Sequence, residues 1–96
     1  MTNIIITGAS GFVGQNLQQY LKSRRFQIQT LSLRNENWQK HVAGGAAAIV
    51  HLAGKAHDTA NTSDPEEYVK VNCDLTIKLF DCFLQSGIRD FFYALL

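Results

Sequence analysis

The chain has 96 residues, 46% of them apolar, and a formal net charge of +1. That length suits one small domain with a modest core, since a chain of this size buries about 60–70% of its unfolded surface. The near-neutral balance offers no basic field for nucleic acid and no polybasic membrane patch. No apolar run approaches a membrane span, and the N-terminus runs into a strand rather than a signal peptide, so a cytoplasmic protein is expected.

Residues 3–7 read as a first strand, with Ile4, Ile5 and Ile6 forming an apolar β-branched run. It feeds into Thr7-Gly8-Ala9-Ser10-Gly11-Phe12-Val13-Gly14, three glycines spaced by three, and then into a helix over 11–24. Gly8 lets the backbone leave the strand in a tight turn, Gly11 presents bare backbone, and Gly14 lets the helix pack closely on the strand. Strand, glycine loop and helix in that order suit a dinucleotide pyrophosphate, because the helix start offers unpaired N–H groups and partial positive charge. Val13, Leu17, Tyr20 and Leu21 fall on one helix face that can lie on a sheet.

Phe26 to Leu33 alternates as a second strand, Ile28, Thr30 and Ser32 opposing Gln29, Leu31 and Leu33. Glu36 to Val42 is expected as a short helix carrying Trp38 and Val42 inward, ended by Gly44-Gly45. Ala46 to Leu52 suits a strand buried on both faces, and 54–63 reads as polar loop. Asp64-Pro65-Glu66-Glu67 then supplies an N-cap, a first-turn proline and a capping-box glutamate for a long helix that Gly87 ends. Residues 90–95 are apolar enough for a fourth strand.

The fold class is therefore α/β: a Rossmann-type parallel sheet flanked by helices, about four strands and three helices in one domain, 1–96. With the strands in the order 2-1-3-4, right-handed crossovers put the first helix on one face and the others opposite. The third and fourth strands are then bare on the first helix's side, which marks an association surface. The long helix carries two apolar stripes, one through Tyr68, Val71, Leu75, Leu79, Cys82 and Phe83, the other through Val69, Cys73, Ile77, Phe80 and Leu84. A monomer surface needs only one stripe, so the second points to a protein partner. Cys73 and Cys82 lie about 13 Å apart along this helix and on opposite faces, too far to bridge, and are expected as reduced, packed thiols.

Near the point about 20 positions after the glycine loop, where an acidic residue usually holds the ribose diol of NAD, the chain has Ser32, Leu33 and Arg34. Arg34 suits the additional phosphate of NADP, so the cofactor is NAD or NADP with a lean to NADP. His51 reads as a polar strand residue, and His41 and His57 as surface groups; no histidine has a second ligand at metal-site spacing.

The glycine segment 7–14, together with His51-Leu52-Ala53-Gly54 and Tyr68-Val69-Lys70-Val71-Asn72, resembles the extended short-chain dehydrogenase/reductases, the NAD-dependent epimerase/dehydratase group. His51 to Asp58 is similar to the nucleotide-sugar 4-epimerase branch. The resemblance spans nearly the whole chain but only the opening third or so of a typical member, which implies a truncated N-terminal NAD(P)-binding subdomain without the substrate domain. It implies cofactor contacts from Gly8, Ser10, Gly11, Phe12, Val13, Gly14, Leu52, Ala53, Gly54 and Lys55, with Asn72 supporting the cofactor-side backbone. Lys55 and His57 would face the nicotinamide and sugar sides, and relatives commonly form homodimers through the long helix.

Relatives also use a Ser or Thr after the fourth strand and a Tyr-x-x-x-Lys pair. Here Tyr20 is followed at that spacing by Arg24 and Tyr68 by Asn72, Tyr93 has no such position, and the chain ends Ala94-Leu95-Leu96, so no catalytic residue is assigned. Three readings stay open: the cofactor-binding part of a nucleotide-sugar epimerase, dehydratase or reductase; a non-catalytic binding or self-associating module; and a degenerate piece that binds nothing.

Overall fold

The computed structural model describes residues 2–42, 44–53 and 65–95. Its elements are β1 (Asn3–Thr7), α1 (Phe12–Ser23), β2 (Gln27–Leu31), a 3₁₀ turn at Trp38–His41, β3 (Ala48–Ala53), α2 (Pro65–Ser86) and β4 (Asp90–Leu95). The four strands form one sheet in the order β2-β1-β3-β4, and every pairing is parallel. Both the α/β Rossmann-type fold and the strand order agree with the sequence reading.

The sheet is covered differently on its two faces. Ile5, Leu31, Trp38, Ala46, Ile49, Leu79 and Ile88 are buried together on one side, where α2 and the 3₁₀ turn pack. Phe80, Phe83 and Phe91 form an aromatic cluster there, with the Phe80 and Phe91 rings edge to face. On the other side Ile4, Ile6 and Leu52 are buried with Leu17, Leu21 and Phe26 packed against them. Phe92, on that same side of β4, remains 59% exposed, whereas Ala48 and Leu52 of β3 are buried, so among the described residues the expected bare face is found at β4 and not at β3.

Several local expectations are refined. The short helix over 36–42 is one 3₁₀ turn, although Trp38 does point inward at 5% exposure. On α1, Leu17 and Leu21 meet the sheet, whereas Val13 and Tyr20 are exposed. Gly14, Leu17 and Leu21 share the inward face, Val13 and Tyr20 lie to its side, and Arg24 lies over the Tyr20 ring at 5.2 Å. Helix α1 ends in a Schellman arrangement, Phe26 N–H to the Leu21 carbonyl at 3.0 Å and Arg25 N–H to Lys22 at 3.1 Å. Arg25 takes the positive φ (68°) that glycine usually supplies, while Gly87 supplies it after α2.

Pro65 opens α2 as expected, but Asp64 lies outside the described residues, as do the side chains of Glu67, Tyr68 and Val71. The second stripe is exposed at Val69, Ile77, Phe80 and Leu84, although Phe80 also meets Phe91 of β4 edge to face. Cys73 shares that exposed face, so only Cys82, half-buried against the core, fits the expectation of a packed thiol.

Candidate nucleotide-binding site

The turn leaving β1 is shaped by two glycines that the fold itself requires. Gly8 has φ +64°, where L side chains are strained, and a Cβ there would run into the carbonyl oxygen of Leu52 in β3. A Cβ on Gly14 would sit 2.5 Å from the Gly8 oxygen and 2.7 Å from Ala9 Cα, so its close approach is to the turn rather than to the strand. Gly11 is different. A Cβ there would meet only the Gly8 oxygen, at an ordinary 3.6 Å.

Gly11 is also the N-cap of α1, and it caps nothing with a side chain; no acidic residue stands in the first turn. The first helical hydrogen bond is Gln15 N–H to the Gly11 carbonyl at 2.9 Å. The N–H groups of Phe12, Val13 and Gly14 precede it and point out of the helix end. Phe12 is 84% exposed, so that end is open. Two glutamines hold the loop from the helix side: Gln15 Nε2 donates to the Ser10 carbonyl at 2.8 Å, and Gln18 Nε2 to the Ala9 carbonyl at 2.9 Å. Sequence reasoning missed both; their spacing of three on one helix face is the signal that was available.

The opposite wall comes from β3. Thr7 and His51 are register partners, and Thr7 Oγ1 lies 2.6 Å from His51 Nδ1. The same hydroxyl oxygen accepts the Leu52 N–H at 3.2 Å. His51 Nε2 reaches Thr76 Oγ1 on α2 at 2.8 Å, and Tyr93 stacks on the ring at 5.2 Å. Burial holds the His51 pKa below its usual 6.5, which favours the neutral ring. Two hydroxyls can each donate or accept, so either tautomer satisfies both nitrogens. The polar strand residue of the sequence reading is thus a bridge between β1, β3 and α2.

Of the residues expected at a cofactor, Gly8, Ser10, Gly11, Phe12, Val13, Gly14 and Leu52 come together at the C-terminal edge of the sheet, where the backbone of Ala53 also ends β3. Arg34 is exposed in the turn after β2, three residues beyond Leu31, the register partner of Thr7, and so lies toward the same edge. Asn72 is half-buried on α2, one turn before Thr76 and toward the crevice end. Gly54, Lys55 and His57 lie outside the described residues. His41 is exposed, as expected.

A parallel sheet whose first strand exits through a glycine turn into an uncapped helix start defines a Rossmann-type α/β domain. The family model of the NAD-dependent epimerase/dehydratase family matches residues 4–95, and the chain belongs to that family. Membership implies a nicotinamide dinucleotide cofactor. No curated protein and no solved structure matches the chain significantly. The residues present fit such a group: free helix N–H groups suit its phosphates, and Gly11 leaves room that the protein does not fill. Among the described residues no helix is long and apolar enough to cross a membrane.

Proposed function

We propose that this chain is the dinucleotide-binding portion of a cytoplasmic NAD(P)-dependent nucleotide-sugar epimerase, dehydratase or reductase. The observation that supports it best is Gly11, a glycine the fold does not need, at the open and uncapped start of α1. In this reading the backbone of Gly8, Ser10, Gly11, Phe12, Val13 and Gly14 holds the pyrophosphate. Leu52, Ala53, Gly54 and Lys55 form the second wall, and Asn72 supports it from α2. Arg34, in the turn after β2, takes the 2′-phosphate in this reading, with NADP favoured over NAD. The bound cofactor supplies hydride transfer to and from a sugar carbon. These 96 residues contain no Tyr-x-x-x-Lys pair, so turnover of a sugar by them alone is not expected.

Calorimetric titration with NAD and NADP tests the reading, paired with Gly11→Asp. A carboxylate at the N-cap would bond the helix N–H groups itself and is worth about 0.5 kcal/mol to the fold. The variant should therefore melt no lower than the parent, yet bind dinucleotide at least about 100-fold more weakly through blocked donors and charge repulsion. Undiminished binding in Gly11→Asp would overturn the site. NAD binding tenfold tighter than NADP would overturn the role given to Arg34.

A second reading, a self-associating module, is favoured by a separate observation. Val69 and Leu84 are 64% and 63% exposed on the outer stripe of α2. Beside that stripe an open apolar groove of about 340 Å³ runs along β4, lined by Ile77, Phe80, Phe91 and Tyr93 among others. A homo-oligomer through α2 and the uncovered sheet face would bury these surfaces. A monomeric mass by light scattering at high concentration would rule it out.

A further inference from the structure

We propose that His51 is a positioning residue that couples α2 to the nucleotide turn, so that the helix and the crevice wall hold or loosen together. The row Thr7–His51–Tyr93 is the last on its face before β1 gives way to the turn. One step beyond it, Leu52 sends its carbonyl against Gly8 and its N–H to Thr7 Oγ1. Just above the last register pair of β1 and β3, the Thr7 hydroxyl is thus the side-chain tie between the two strand exits. That hydroxyl is oriented by His51 Nδ1 at 2.6 Å, and the ring in turn by Thr76 Oγ1 at 2.8 Å. An apolar residue at position 51 could stack on Tyr93 equally well, but it would pass no orientation from helix to turn. A buried ring with both nitrogens engaged on two different elements is a fixed link rather than a space filler.

The coupling to nucleotide rests on the dinucleotide reading above; the coupling between helix and turn does not. Thr76→Val removes the α2 hydroxyl with little change of shape, and Thr76→Ser restores it. In the ligand-free protein, Thr76→Val should speed amide exchange at Leu52 about tenfold relative to Ile49, which lies lower in the same strand, and Thr76→Ser should return it to the parent value. A merely structural loss would raise exchange at both amides alike. The dinucleotide Kd should weaken about five- to tenfold in Thr76→Val and recover in Thr76→Ser. An unchanged Leu52-to-Ile49 ratio would overturn the proposal. If the parent protein binds no dinucleotide, the proposed function fails, and the exchange ratio still decides the coupling.

Discussion

On the α2 face of the sheet, Ile5, Ile49 and Leu79 are fully buried beside Trp38 and Ile88; on the α1 face, buried Ile4, Ile6 and Leu52 sit under a single helix and Phe92 stays open. Apolar area removed from water is the main favourable term in folding, so the α2 face carries more of the stability. The α1 face carries the glycine turn and the uncapped helix start. The turn and the helix start therefore sit where packing is thinner, and the better-packed face braces them from behind through Thr7, His51 and Thr76.

The largest expected effect separates the two faces directly. Leu79→Ala should cost about 3 kcal/mol in denaturant unfolding, whereas Leu17→Ala, only half-buried on α1, should cost about half as much. Equal losses would break the contrast. Next comes Gly14→Ala, where the new Cβ meets turn backbone that must shift; it should cost about 2 kcal/mol, opposite in sign to the small gain from Gly11→Asp one turn earlier.

A pH series gives a slope rather than a step. Burial lowers the His51 pKa, so below 6.5 the unfolded chain takes up a proton that the folded ring resists. Stability is then full above pH 6.5 and declines as pH falls from there toward the lowered folded value. His51→Gln should flatten that decline, and an unchanged slope would assign it to other groups.

Much of the architecture can be read from the chain because its signals are local. The run Ile4-Ile5-Ile6, the glycines at 8, 11 and 14, and Pro65 with Gly87 bracketing the long helix each act within a few residues, and crossover handedness assigns the helices to the faces of the sheet. The bridge through His51 could not be read this way. It joins positions 44 and 25 residues apart, and in a parallel sheet no short turn ties such partners together in sequence. The helical spacing of Trp38 and Val42 predicts a longer helix than the 3₁₀ turn that forms, because a single turn suffices to bring Trp38 inside. Tyr20 differs for a related reason: periodicity marks a broad face, and only the edge of it that carries Leu17 and Leu21 touches the sheet.

The contact between Gly8 and Leu52 has a consequence for biosynthesis. The glycine turn leaves the ribosome before one of its walls, which is made some forty positions later. Until that stretch emerges and pairs beside the opening strand, the nascent chain holds the right residues with nothing to brace them. Closing so long a loop is slow compared with winding a helix. A braced turn thus exists only once β3 has emerged and paired beside β1.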